Sequence, residues 1–119
     1  MLRRSVLKSI LAGAAALAAP SFVLPAAAAD KVTLMLNWYV YGEHAPFYYG
    51  KEKGFYAAEG IDLDIQEGRG SAVTIQAVAA NTATFGYADV ATMIRAAAKG
   101  APVTSPGVLL QTSPMSVMG

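Results

Sequence analysis

Between Val32 and Ala101 the apolar residues switch repeatedly between strand-like runs and helix-like spacings. Val32 to Leu36 is an apolar run with a β-branched start, the pattern of a buried strand. Asn37 to Ala45 reads as a loop. Pro46 suits the first position of a helix, where its missing N–H costs nothing. Phe47 to Glu59 keeps helical spacing, although Gly50 and Gly54 weaken it. Gly60 is placed to end that helix. Ile61 to Gln66 alternates strictly, which predicts a strand with one wet face. Gly68-Arg69-Gly70-Ser71 predicts a turn into a second helix, with Ser71 as its N-cap. Thr84 to Tyr87 predicts a short strand, and Asp89 stands where it joins the next helix. There Val90, Met93, Ile94 and Ala97 recur at i, i+3, i+4 and i+7, a stripe expected to face the core. Arg95 and Lys99 lie off the stripe, near the end of the helix that favours cations, and Gly100 stops it. Val103 to Leu110 predicts a further strand bent around Pro106-Gly107. Met115 to Met118 is expected to begin another element.

Strands and helices thus alternate with short connections. That order predicts an α/β fold with a parallel sheet and flanking helices. Ligands of such sheets sit beyond the carboxyl ends of the strands. The loops expected there are Asn37–His44, Gly68–Ser71 and Tyr87–Asp89, with Gln111–Pro114 as a fourth.

Composition changes the picture at the N-terminus. Arg3, Arg4 and Lys8 precede an Ala-rich apolar run, and Ala26 to Ala29 supply small residues before Asp30. This is the three-part pattern of an export signal over residues 1–29, too short and too weakly apolar for a good membrane span. Arg3-Arg4-Ser5-Val6-Leu7-Lys8 resembles a twin-arginine export motif, and an ordinary secretory signal is equally open. Without residues 1–29 the chain holds six basic against eight acidic residues, a net charge of −2. No basic patch argues for nucleic acid. With no cysteine in the chain, disulfides and thiolate metal sites are excluded.

The aromatics are concentrated. Trp38, Tyr39, Tyr41, Phe47, Tyr48, Tyr49, Phe55 and Tyr56 are eight of the eleven in the sequence. Rings beside a polar loop suit a wall that grips a small flat or polar molecule. Phe47 and Phe55 fit simple packing; Trp38 and His44 fit ligand contact as well as packing. Asn37 can donate and accept, and also suits a turn. His44 is the only histidine, so a histidine-based metal cluster is not available. Gly68-Arg69-Gly70-Ser71 resembles a small cradle for an anion or polar group at a helix N-terminus, but fits a tight turn with a Ser71 cap better. Asp89 suits either a ligand amine or a cap, and Tyr87 either packing or contact. No Ser-His-Asp set and no paired carboxylates mark a catalytic site.

Leu36-Asn37-Trp38, His44-Ala45-Pro46-Phe47-Tyr48, Lys51 to Tyr56, Glu59 to Leu63 and Phe85 to Asp89 together resemble the start of the SsuA/THI5-like (NMT1-type) family. Lys99 to Val103 and Gln111 to Pro114 continue the match. The resemblance implies the first lobe of a type II periplasmic binding protein. Residues 30–119 are then the N-terminal part of the domain, and binding by the chain alone is expected to be weak or absent. Most members resemble solute-binding components of ABC importers for nitrate, sulfonates or thiamine pyrimidine precursors. For this chain that implies a periplasmic monomer with no chemistry and no cofactor, which captures a small molecule for a membrane permease. Carried over, the pocket of the pyrimidine branch points to Asn37, Trp38, His44, Gly70, Ser71 and Asp89. A second branch resembles the thiamine pyrimidine synthases, which use a lysine that holds pyridoxal phosphate and a histidine consumed as substrate. By spacing from Gly86 to Pro102 those positions hold Ala88 and Thr92, which speaks against synthesis.

Overall fold

The computed structural model describes residues 28–112. The expected signal segment, apart from Ala28 and Ala29, and the element expected at Met115 to Met118 lie outside those residues. Three parallel strands form one sheet in the order β2-β1-β3. Strand β1 (Asp30–Met35) is central, β2 (Ile61–Gln66) pairs along its full length, and β3 (Phe85–Gly86) pairs with Leu34 and Met35. A 3-10 turn (Gly42–His44), α1 (Ala45–Glu52) and α2 (Phe55–Ala58) connect β1 to β2. Helix α3 (Ser71–Ala79) connects β2 to β3, and α4 (Val90–Ala97) follows. The expected α/β class, a parallel sheet with flanking helices, is what forms.

The core is small. Leu34, Leu36 and Leu63 are buried, with Val32, Ile61, Ile65, Phe47, Tyr56 and Tyr87 packed around them. On β2 the apolar residues share this face while Asp62, Asp64 and Gln66 stay exposed, as the alternation predicts. Gly86 lies against Thr74 and Val78 of α3, and its neighbour Tyr87 meets Phe47 of α1. Successive strand residues point to opposite faces, so helices cover both sides of the sheet.

Four expectations need correction. The helix expected over Phe47 to Glu59 is broken, because Gly54 adopts a left-handed conformation (φ 74°) between α1 and α2. Gly50 remains inside α1 because the ring of Tyr56 lies on it. Ser71 is not an N-cap: Gly70 occupies that position, and Ser71 Oγ accepts instead from the backbone N–H of Asp89 (3.0 Å). Val90, Ile94 and Ala97 of the α4 stripe are exposed and only Met93 is half-buried, while Thr92, Arg95 and Ala96 line a groove between α4 and α3. Val103 to Leu110 forms no strand; Pro106 removes a ladder donor, and no strand among the described residues pairs with this stretch.

One contact joins the two loops that matter most. A Cβ on Gly68 would lie 1.8 Å from the Leu36 carbonyl oxygen and 2.9 Å from Thr74 Oγ1. Only glycine permits that approach. Gly68→Ala is therefore expected to lower stability by about 2 kcal/mol, the scale of an overpacked core site. Gly42→Ala, with open space around it, is expected to stay within about 0.5 kcal/mol of the parent. Urea unfolding of both variants checks this, and equal midpoints would contradict it.

Candidate functional site

The order β2-β1-β3 means that the chain leaves β1 toward one side and later returns past it to the other. The crevice beyond the carboxyl ends of β1 and β3 is a topological switch point, where open α/β sheets bind ligands. The loop after β1 and the loop after β3 meet there.

The loop after β1 is held from the β2 side. Gly68 N–H donates to Trp38 O (3.3 Å), and Gly70 N–H donates to Asn37 O (2.8 Å). Val40 N–H donates to Glu67 Oε1 (3.0 Å). The Arg69 guanidinium stacks over Tyr39 at 4.6 Å, a cation–π contact. Thr74, fully buried, donates its hydroxyl to Leu36 O (2.7 Å).

Two hydrogen-bonded groups of side chains lie side by side at this end of the sheet, His44 with Asn37 and Glu43 with two phenols. His44 is fully buried. Its Nδ1 accepts from the Tyr41 backbone N–H (3.4 Å), so the ring proton sits on Nε2, which donates to Asn37 Oδ1 (2.7 Å). The Asn37 amide in turn acts on the Tyr41 phenol. Tyr41 donates to Glu43 Oε2, and Tyr87, arriving from β3, donates to Glu43 Oε1 (2.5 Å). The rings of Tyr41 and Tyr87 both meet the His44 imidazole edge-on.

The electrostatics follow from these bonds. The phenol donors of Tyr41 and then Tyr87 hold the Glu43 carboxyl below its ordinary range, so it is ionised. Burial, reinforced by Glu43, pushes the Tyr87 phenol well up. The hydrogen bond to Glu43 raises Tyr41. Burial depresses His44, which stays neutral.

The six residues expected at the site all lie on this end of the sheet, with different surroundings. The Asn37 side-chain oxygen accepts from His44 Nε2. Trp38 is exposed, edge-on to Tyr39. His44 has both nitrogens engaged and no exposed surface, so it orients Asn37. Gly70 ties the loops, and Ser71 bridges to Asp89. Asp89 Oδ1 caps α4, accepting from the Thr92 N–H and hydroxyl (both 2.8 Å). The Thr92 N–H is the main reason its carboxyl is depressed. Sequence reasoning missed Glu43, which reads as an ordinary loop acid. Its position beside the one histidine was the available signal.

The pyridoxal phosphate of the synthase branch finds no fit here. Ala88 offers no amine, and the Thr92 hydroxyl is bound to Asp89 and Arg95. The four described lysines lie elsewhere: Lys31 opens β1, Lys51 and Lys53 end α1, and Lys99 lies past the end of α4.

The fold and site define an open, doubly wound α/β lobe with a polar crevice at its switch point. The chain belongs to the NMT1/THI5-like family, whose model matches residues 42–119. It is 38% identical over 89 residues to a 4-amino-5-hydroxymethyl-2-methylpyrimidine phosphate synthase of Legionella pneumophila, covering 75% of this chain and 28% of that protein. Synthases of the same name from Aspergillus parasiticus and Candida albicans are 30% and 32% identical over 81 residues, 68% of this chain and 24% of theirs. The chain thus spans about a quarter of the length of these relatives. All three are named as enzymes, against the expectation of a non-catalytic protein.

The buried histidine gives a pH prediction. Its folded-state pKa lies below the ordinary 6.5, so the unfolded chain takes up a proton first. Stability is expected to fall as pH drops below 6.5, until the folded state also binds the proton. Glu43 acts lower: its contribution is present above 4.5 and is lost as pH falls through its depressed folded value. His44→Gln should flatten the upper window only. Thermal unfolding against pH checks this, and an unchanged slope in the variant would contradict it.

Proposed function

We propose that this chain supplies the N-terminal part of a lobe that binds an aminopyrimidine of the thiamine-precursor type. The observation that carries the reading is the His44–Asn37 pair next to the phenol-held Glu43 carboxylate, set at the switch point beside the exposed ring of Trp38. A planar ring stacked on Trp38 would meet the Asn37 amide and an acceptor within one short loop. The names of the relatives support the same ligand chemistry. The anion alternative, a sulfonate or nitrate, would rest on Arg69, which stacks over Tyr39 at this end of the sheet.

Two whole-protein roles follow from pyrimidine recognition. The relatives' names favour a synthase over transport. The residues of this chain favour capture without that chemistry, since Ala88 and Thr92 replace the lysine and histidine that the synthase branch uses. With the export-type pattern of residues 1–29, capture would serve a periplasmic solute-binding protein that delivers its ligand to an ABC permease. Borohydride reduction after incubation with pyridoxal phosphate separates the two roles. No adduct at a single lysine is expected, and a stoichiometric one would favour the synthase.

Trp38 is the single tryptophan, so its fluorescence reports the site directly. Millimolar 4-amino-5-hydroxymethyl-2-methylpyrimidine is expected to shift or quench that emission, while taurine and nitrate leave it unchanged. Saturation by taurine or nitrate, with none by the pyrimidine, would reverse the reading.

A further inference from the structure

Glu43 is an ionised carboxylate without a matching cation. Among the described residues its hydrogen-bond partners are two phenols, not a lysine or arginine. The groups that face it are the phenols of Tyr41 and Tyr87 and the imidazole of His44, which is neutral and has both nitrogens engaged. Glu67, the next acid to act on His44, adds negative charge to the neighbourhood. Each Glu43 oxygen accepts one phenol proton, and a carboxylate has about four lone-pair sites. Two therefore remain, on a half-buried side chain at the mouth of the crevice. The two tyrosines come from different loops, so the carboxylate is fixed in orientation.

An anion held this way, with lone pairs to spare and no counter-charge, is complementary to a planar donor pair that carries positive charge. The amidine edge of a 4-aminopyrimidine has that form once its ring nitrogen is protonated: one exocyclic N–H and one ring N–H, side by side. We propose that Glu43 is a ligand-binding residue that accepts this edge, with Tyr41 and Tyr87 as its positioning residues. The ring proton comes from solvent as the ligand binds, and no covalent bond changes. The proposal rests on the pyrimidine reading above and specifies how the ring is told from its 4-oxo counterpart, which keeps a carbonyl acceptor where the amine would donate.

Calorimetry on the full chain tests it with two probes, 4-amino-5-hydroxymethyl-2-methylpyrimidine and its 4-oxo analogue. Measurements at neutral pH in buffers of different ionisation enthalpy read proton uptake. The parent is expected to bind the amino ring at least tenfold more tightly than the oxo ring and to take up a proton with it. Glu43→Gln is expected to lose the preference and the uptake while retaining weak binding of both rings. Tyr87→Phe keeps the carboxylate and should bind the amino ring several-fold more weakly with uptake intact, so it decides the matter if Glu43→Gln does not fold. Equal binding of both rings by the parent, or uptake and preference unchanged in Glu43→Gln, would overturn the role of Glu43 and leave the pyrimidine reading standing. Failure of the parent to bind either ring even weakly, at the millimolar ligand at which the Trp38 response is expected, would remove that reading and this proposal with it.

Discussion

The site depends on the Leu36 carbonyl. Its oxygen accepts the buried hydroxyl of Thr74, and Gly68 lies so close that no side chain fits between them. This contact draws the loop after β2 onto the end of β1, where Gly68 and Gly70 donate to Trp38 and Asn37. Without it Asn37 would have no fixed backbone. The hydrogen bond from His44 would then order a mobile amide, at a cost in entropy that the burial of one imidazole does little to offset. These polar groups are pre-organised because the seam beneath them is rigid.

That arrangement explains how a small core can hold several polar groups. The described residues leave no buried side-chain nitrogen or oxygen without a partner. His44 is fully buried and so needs both nitrogens matched; the Tyr41 backbone and Asn37 match them and fix one tautomer. Glu43 draws the donors of both tyrosines toward one point. Tyr87 reaches that point only because β3 pairs with β1 on the side opposite β2. The topology that makes the switch point thus also supplies its second phenol.

Much of this was legible in the sequence. The apolar run at Val32, the alternation from Ile61 and the glycines Gly60 and Gly100 carry their own physical signals, whereas the strand order β2-β1-β3 is seen only in the structure. The convergence of Asn37, Gly70 and Asp89 came from topology alone. Side-chain pairing was not legible. Ser71 precedes a helix and so reads as a cap, yet a glycine took the cap position and freed its hydroxyl for Asp89. His44 reads as a ligand contact, yet its complete burial makes it a support for Asn37. The α4 stripe has the spacing of a core face, but spacing does not say which neighbour is present, and the groove toward α3 is lined by Thr92, Arg95 and Ala96 instead.

Mapping backbone amide shifts by nuclear magnetic resonance, as 4-amino-5-hydroxymethyl-2-methylpyrimidine is added to the full chain, tests the central claim most directly. The account predicts that the changes cluster in residues 37–44, 68–71 and 87–89, the three loops at the carboxyl ends of the strands. Changes confined to the groove between α3 and α4, or no changes at millimolar ligand, would contradict it.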